Sequence, residues 1–203
     1  MAHTLRIALL WHRYESGKNA DQPNFYATMT SIMFARQIFA KHGFKLDFLP
    51  QHYGRPILEY AGKIDFNQAG YQEKYADGVS DKFPAIPQRD TRLPVVFARS
   101  RFEEEVADFE KNGAGVIYSG VCCRHTEKKR KPYVMMSDEG YGPGILTHEI
   151  GHAAGLDHIA MYEAEWADPL NVMSERKAES GIKSNFSARQ IEALKGAYFC
   201  VAS

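Results

Sequence analysis

The chain has 203 residues, 44% of them hydrophobic, and its 25 basic and 25 acidic residues give a formal net charge of zero. A chain of this length is sufficient to bury one good core, so a single domain, residues 1–203, is the expectation. A balanced charge lacks the basic surface of a nucleic-acid-binding protein, so we expect no nucleic acid among the partners.

Apolar runs and cysteines leave the cellular setting open. No run approaches the roughly 18 apolar residues of a membrane-spanning helix, and LRIALLWH is too short for the central region of a signal peptide. We therefore expect no membrane span, and the localisation stays open between secretion, delivery by a non-classical route and the cytoplasm. We also expect the protein to be a monomer. Three cysteines are too few for a disulfide scaffold. One bridge from Cys122 or Cys123 to Cys200 stays open, because adjacent cysteines rarely bond to each other.

The N-terminal part predicts a strand, a helix and a second strand. Thr4–His12 is a short apolar run typical of a buried strand. The apolar residues that then recur at helical spacing are Phe25, Met29, Ile32, Met33 and Phe39. They predict a helix from Asp21 or Asn24 up to a stop at Gly43. Residues 44–50 alternate like a strand.

The middle of the chain begins with a stretch that has no sustained period. Residues 53–92 contain scattered Gly, Pro and Tyr, and a structureless loop of that length is unusual in a compact domain. Two interpretations stay open, a lid with short elements or an insertion specific to this protein.

The strand pattern resumes at Leu93–Ala98. A helix is predicted over Ser100–Gly113, since Ser100 and Glu103 match a capping box. Its apolar face comprises Phe102, Val106 and Phe109.

Two strands and a closing helix are predicted towards the C-terminus. Residues 114–121 and 133–138 are typical of strands, and the charged segment 124–131 between them is typical of a solvated loop. The closing helix is predicted over residues 185–199, where Ser187 and Gln190 match a second capping box.

The stretch ILTHEIGHAAGLDH, residues 145–158, carries the most specific pattern in the chain. His148 and His152 are four residues apart, so on a helix they project from one face and can hold one metal ion. Glu149 is placed to reach a water beside the metal as a general base. Gly155 can take the left-handed conformation that ends a helix, which would return His158 as a third ligand.

Three neutral imidazoles with an open fourth position are typical of a catalytic zinc site, whereas structural zinc sites have four protein ligands. We therefore expect one Zn²⁺ ion as the cofactor, although such a site also accepts copper, cobalt or nickel. A histidine pair at helical spacing also occurs on ordinary polar helix faces. Here the pattern fixes five positions out of eleven, which favours the metal site.

The sequence HEIGHAAGLDH resembles the zinc-binding signature of the metzincin metallopeptidases, H-E-x-x-H-x-x-G-x-x-H. The second mark of that family is a tight turn with a methionine beneath the zinc, and PLNVMSE offers Met173, fifteen residues beyond His158. The resemblance is specific from about Ala114 to the C-terminus. It implies a zinc-dependent endopeptidase that hydrolyses protein or peptide substrates.

The resemblance also implies an α/β (α+β) fold with a twisted, mostly parallel sheet, one antiparallel edge strand and packed helices. Residues 1–155 would form a sheet-and-helix lobe above the active-site cleft, and residues 156–203 a small irregular lobe below it. The edge strand that pairs with an extended substrate would be residues 113–121, with 133–140 as its neighbour. The residues implied in substrate binding on that strand are Val116, Ile117, Tyr118, Ser119 and Gly120.

Two aromatic side chains in the segment after the third histidine are candidates for the wall of a substrate pocket. Tyr162 and Trp166 lie where the family builds that wall, and core packing is an equal alternative for both.

Two departures from the family leave the subfamily unassigned. Glu175 stands two residues after the methionine, where some metzincins have a tyrosine ligand, and Ile159 follows the third histidine. Two other functions stay open, a catalytically weak peptide- or partner-binding module and a hydrolase of a non-peptide amide.

Overall fold

The computed structural model describes residues 2–13, 25–49, 58–61, 91–98, 102–104, 116–118, 120–123, 131–137, 144–175 and 181–203. The predictions for Ser119, for residues 124–130 and for most of residues 53–92 lie outside the described residues. The α-helices are α1 Phe25–Lys41, α2 Ile145–Ala153 and α3 Ala188–Gly196, and a 3₁₀ helix spans Ala164–Ala167. The strands are β1 His3–Arg13, β2 Phe44–Phe48, β3 Leu58–Ala61, β4 Leu93–Ala98, β5 Phe102–Glu104, β6 Val116–Tyr118, β7 Gly120–Cys123, β8 Tyr133–Ser137 and β9 Cys200–Ala202.

Most of these strands belong to one sheet. Among the described residues it has seven strands, in the order β2-β1-β4-β8-β7, with β3 and β9 also paired to β1. The pairings of β1 with β2, β3 and β4, and of β4 with β8, are parallel. β7 ends the order and runs antiparallel to β8, with Gly120 opposite Met136. The predicted mixed α/β fold with a mostly parallel sheet is confirmed.

The central strands of the sheet are buried on both faces. Ile7–Leu9 of β1 are at most 6% exposed, and Val95–Phe97 of β4 are at most 1% exposed. A strand that is covered on both sides needs no polar alternation, which explains the uninterrupted apolar runs in the sequence. Residues 53–92, for which the sequence predicts no definite element, contribute strand β3 to this sheet, because Leu58–Ala61 pairs with the C-terminal end of β1.

Helix α1 packs against β2 and α2 and ends where the sequence predicts. It stops at Lys41, and Gly43 has a φ of 79°, the left-handed conformation that favours glycine. Its C-terminal end is tied to the last part of the chain. The Nζ of Lys41 donates to Oδ1 of Asn185 at 2.6 Å, and Nε2 of His42 donates to the carbonyl oxygen of Ser184 at 2.8 Å.

The predicted capping box at the start of α3 is confirmed. Oγ of Ser187 accepts from the backbone N–H of Gln190 at 3.3 Å, and Oε1 of Gln190 accepts from the backbone N–H of Ser187 at 2.8 Å. β9 follows α3 and pairs antiparallel with His3–Leu5 of β1. The C-terminus is therefore fastened to the sheet at its central strand.

The predicted helix over Ser100–Gly113 is wrong at Phe102–Glu104, which forms strand β5. β5 pairs antiparallel with β6 in a separate two-stranded sheet, with Phe102 opposite Tyr118. A capping pattern and an apolar face are local preferences, and pairing with a segment distant in sequence overrides them. Residues 105–113 lie outside the described residues.

The predicted edge strand is displaced towards the C-terminus. Val116–Tyr118 is β6, and the edge of the main sheet is Gly120–Cys123. The run from 114 to 121 is apolar with no clean alternation, so the sequence holds no signal for which residues pair with β8.

None of the helices in the described ranges is long and apolar enough to cross a membrane.

Cys200 carries a free thiol, whose pKa is raised by burial. The bridge to Cys200 that the sequence left open is therefore not formed.

Phe39→Ala should destabilise the protein by about 3–5 kcal/mol, because it removes a fully buried ring. Phe39 is 0% exposed, and its ring centroid lies 5.8 Å from that of Phe186 and 6.2 Å from that of Phe44. Urea unfolding measures the change. Met33 lies on the same helix and is 55% exposed, so Met33→Ala should stay within about 0.5 kcal/mol of the wild type. Equal losses in both variants would contradict this assignment of the core.

Candidate metal centre

Helix α2 carries two histidines of the motif on one face. It follows Gly144, which has a φ of 94°, and it packs against α1, β7 and β8. His148 and His152 lie one turn apart, with ring centroids separated by 4.5 Å. The sheet and α1 therefore hold the helix from which both rings project.

A left-handed glycine ends α2 and reverses the chain. Gly155 has a φ of 89°, and its N–H donates to the carbonyl oxygen of His152 at 2.9 Å. The N–H of Leu156 donates to the carbonyl oxygen of Gly151 at 3.1 Å. These two hydrogen bonds define a Schellman motif, in which glycine avoids the steric cost of the left-handed conformation. The turn brings His158 back beside the helix.

Three imidazole nitrogens converge at this place. Nε2 of His152 lies 3.0 Å from Nε2 of His148 and 3.0 Å from Nε2 of His158. The Nε2 atoms of His148 and His158 are 3.1 Å apart. In the part of the chain that the structure describes, these three residues form a group that could hold a metal ion.

The rings of the two helical histidines are oriented through their other nitrogen. Nδ1 of His148 donates to the carbonyl oxygen of Val172 at 2.8 Å, and Nδ1 of His152 donates to the carbonyl oxygen of Leu156 at 2.7 Å. A carbonyl oxygen can only accept a hydrogen bond, so Nδ1 carries the proton in both rings. Each Nε2 atom therefore presents a lone pair to the cluster.

The third ring is oriented by a carboxylate. Nδ1 of His158 donates to Oε1 of Glu175 at 2.9 Å, so in the neutral form of the ring Nε2 of His158 also presents a lone pair. Three lone pairs within 3.1 Å of one another repel, and a cation at their meeting point replaces that repulsion with coordination. Imidazole nitrogens suit zinc, copper, iron and nickel. The donor set fits a bound divalent metal ion.

Burial keeps the first histidine neutral. The pKa of His148 is lowered from 6.5 to about 4, mainly because burial disfavours the charged ring. The hydrogen bond to the carbonyl oxygen of Val172 opposes this shift, and electrostatic interactions with His152, His158 and Lys183 add to it. A neutral imidazole is the form that binds a metal, so His148 needs no deprotonation at neutral pH.

The cluster is buried on one side and open on the other. His152 and Glu149, both on α2, are 8% and 7% exposed. The side chain of His158 is 45% exposed. A ligand can therefore approach the imidazole nitrogens from the His158 side, while the carboxyl group of Glu149 is held in the protein.

Met173 packs against α2 where the helix has no side chain. Met173 is fully buried, and a Cβ atom added to Gly151 would lie 2.6 Å from its Sδ atom. Gly151 immediately precedes His152. Glycine at position 151 is therefore what allows the thioether to lie this close to the histidine-bearing helix.

Met173 lies in a tight turn, residues Asn171–Glu175, that is held from inside the protein. The N–H of Ser174 donates to the carbonyl oxygen of Asn171 at 3.1 Å, and the N–H of Met173 donates to Oδ1 of Asn171 at 3.0 Å. Nδ2 of Asn171 donates to Oε1 of Gln190 at 2.9 Å, and both residues are 2% exposed. Gln190 also caps α3, so the closing helix holds the Asn171–Glu175 turn.

The predicted substrate residues are spread over several elements. Trp166 is in the 3₁₀ helix and packs partly buried against the hydrophobic core, whereas Tyr162 is 92% exposed. Val116–Tyr118 forms β6, and Gly120 begins β7. The predicted histidines are thus brought together, while the predicted strand residues are divided between two sheets.

Sequence reasoning missed the groups that orient the imidazoles. Val172 and Leu156 act through carbonyl oxygens, which are the same in every residue type and leave no sequence signal. Glu175 did leave a signal, because it stands two residues after Met173, at the position that the sequence analysis singled out as a departure from the expected pattern. Lys183, whose Nζ donates to the carbonyl oxygen of Ser174, left none.

Comparison with known proteins supports the fold. No protein-family model matches the chain, and no curated protein matches it. Metalloproteinase-II from Bacteroides fragilis is similar in structure, with a TM-score of 0.52 at 10% identity over 96% of this chain and 53% of that chain. A structure described as a chaperone-substrate complex has a TM-score of 0.54 at 13% identity, over 98% of this chain and 34% of that chain.

The chain thus spans about half of the first of these proteins and about a third of the second. At these identities the likeness shows the fold alone. The fold and the site together define a mixed α/β protein, similar in fold to a metalloproteinase, with three histidines that could hold a metal ion.

Gly151→Ala should destabilise the protein by about 1–3 kcal/mol, the usual cost of overpacking, because the new Cβ meets Sδ of Met173. Helix propensity alone predicts the opposite sign, a gain of up to about 1 kcal/mol. Thermal unfolding measures the difference. Gly196 is the matched control, since it also lies in a helix and an added Cβ meets nothing within 4 Å. If both alanine variants shifted the unfolding temperature alike, the contact between Met173 and Gly151 would be refuted.

Proposed function

We propose that this chain is a zinc-dependent endopeptidase of the metzincin type. The observation that carries the proposal is the convergence of three imidazole nitrogens, with Nε2 separations of 3.0–3.1 Å, beside helix α2, which carries two of these histidines and a buried glutamate. The likeness in fold to a metalloproteinase supports the same activity. Residues 1–203 act as one catalytic domain, with residues 1–155 and 156–203 on the two sides of the cleft.

His148, His152 and His158 are the ligands of one zinc ion in this proposal. Zinc is preferred because its catalytic sites combine three protein ligands with one open position. When bound, zinc acts as a Lewis acid that makes water a nucleophile near neutral pH and polarises the scissile carbonyl group. The exposure of His158 leaves one side of the three-histidine cluster accessible to a substrate.

Glu149 acts as the general base and then as the general acid. It takes a proton from the attacking water and passes it to the amine nitrogen of the leaving fragment, so that a C–O bond forms as the peptide C–N bond breaks. The 7% exposure of Glu149 supports this role, since a buried ionisable group is costly and tends to be retained for function. Met173 supports the site by packing against Gly151, and it does not coordinate the ion.

The substrate binds as an added strand along β7. In the described sheet, β7 is the terminal strand of the order, and it packs against α2. An edge strand beside the metal-binding helix offers backbone donors and acceptors to an extended peptide. We therefore propose main-chain recognition at Gly120–Cys123 instead of Val116–Tyr118, with Tyr162 and Trp166 beside a pocket for a substrate side chain.

A second candidate is the binding of a protein or peptide without turnover. The likeness in fold to a chaperone-substrate complex favours it. The two candidates differ at Glu149, because a binding module needs no carboxylate beside its metal ligands.

Zinc should stabilise the protein. At free zinc about a hundredfold above the dissociation constant, binding adds about 2.7 kcal/mol to the free energy of unfolding. His158→Ala should abolish this gain while changing the stability of the metal-free protein by less than about 0.5 kcal/mol, because the side chain is 45% exposed. Thermal unfolding with and without zinc measures both quantities. His3→Ala changes a histidine of β1 and should keep the full gain; retention of the gain in the His158 variant would remove His158 from the ligand set.

Glu149→Ala should retain one zinc ion per chain and lose about 10²- to 10⁴-fold in kcat/KM, the usual contribution of general acid–base catalysis. The measurement is cleavage of a diverse peptide library by the zinc-loaded protein, with products identified by mass spectrometry. Glu192→Gln changes a carboxylate on α3 that is 70% exposed and should leave cleavage unchanged. Wild-type turnover in the Glu149 variant would rule out its role as base. Peptide binding without cleavage by the wild type would favour the second candidate.

A further inference from the structure

The three histidines are not held in the same way. The two on α2 donate through Nδ1 to backbone carbonyl oxygens, of Val172 and Leu156, which are positioned by the chain itself. His158 lies beyond the helix, and the partner of its Nδ1 is the side chain of Glu175, at 2.9 Å. The orientation of the third imidazole therefore depends on a single exposed carboxylate.

We propose that Glu175 is a positioning residue for His158. Its carboxylate holds the proton of His158 on Nδ1 and turns Nε2 towards the other two imidazoles. The inference rests on the proposed metal site, and it concerns how that site is assembled. A carboxylate that accepts from the second nitrogen of a metal-binding imidazole fixes the tautomer and raises the basicity of the ligand.

The geometry separates this role from that of a further ligand. Nδ1 and Nε2 point in different directions from the imidazole ring, and Oε1 of Glu175 lies on the Nδ1 side. Nε2 of His158 instead lies 3.0 Å and 3.1 Å from the Nε2 atoms of His152 and His148. The carboxylate is thus on the far side of the ring from the place where the nitrogens converge.

Glu175 is also well anchored for an exposed residue. It directly follows Ser174, which is buried and whose carbonyl oxygen accepts a hydrogen bond from Nζ of Lys183. Lys183 is close enough for its charge to interact with that of Glu175. The end of the Asn171–Glu175 turn is therefore fixed by a neighbouring cation, and the carboxylate remains within reach of His158.

Two variants separate the hydrogen bond from the charge. Glu175→Leu removes both, and Glu175→Gln keeps an oxygen acceptor without the charge. Loss of a partner of this kind typically weakens metal binding by about 10- to 100-fold. We expect the zinc dissociation constant, measured by competition with a chromophoric chelator, to rise by about that factor in the leucine variant and by less in the glutamine variant. Glu192→Gln, at another exposed glutamate, should leave it unchanged.

A spectroscopic readout distinguishes positioning from a general loss of stability. The visible absorption of cobalt(II) bound in place of zinc reports ligand number and geometry, and it should change in the leucine variant and be largely restored in the glutamine variant. Unfolding of the metal-free proteins should be alike, because the side chain of Glu175 is 64% exposed. If the wild type binds zinc and the leucine variant binds it equally well with an unchanged cobalt spectrum, the positioning role is refuted while the metal site stands. If the wild type binds neither ion, the metal site and this inference fail together.

Discussion

The contact between the Asn171–Glu175 turn and helix α2 is the constraint on which the candidate metal centre depends. This short turn supplies the carbonyl oxygen of Val172 to the ring of His148 and the carboxylate of Glu175 to the ring of His158. Between these two, Met173 packs against the bare backbone of Gly151. A displacement of the turn would therefore reorient two of the three imidazoles at once. Metal coordination tolerates little such displacement, because both direction and distance of each donor matter.

The Asn171–Glu175 turn is itself held in place by the C-terminal elements α3 and β9. Asn171 pairs with Gln190 inside the protein, and Gln190 also caps α3. β9 then joins the central strand β1, and the N–H of Arg6 donates to the carbonyl oxygen of Phe199 at 2.8 Å. A continuous path of contacts thus leads from the centre of the sheet through α3 to the turn beside the three histidines. Buried side-chain amides are suited to this task, since leaving either one unpaired costs free energy.

The elements that could be predicted are those whose determinants lie within a few residues. The stop of α1 at Gly43 and the capping box at Ser187 follow from local backbone and side-chain chemistry. The buried central strands follow from their uninterrupted apolar runs. The prediction of a helix over Ser100–Gly113 is wrong at Phe102–Glu104, because these residues pair with β6, and a local sequence pattern carries no information about that partner strand. The predicted bounds of the edge strand were inaccurate for the same reason, since pairing with β8 determines which residues form β7.

By itself the sequence determined the kinds of donor and their spacing: two histidines one helical turn apart, a glycine that can reverse the chain, and a third histidine after it. Only the tertiary structure decided which nitrogen of each ring faces the other two rings, because that choice depends on the acceptor that each Nδ1 meets. Two of those acceptors are backbone carbonyl oxygens, which no residue identity encodes, and the third is Glu175, seventeen residues beyond its histidine. Likewise, the need for glycine at position 151 arises from Met173, because the two residues meet only when the Asn171–Glu175 turn lies against α2.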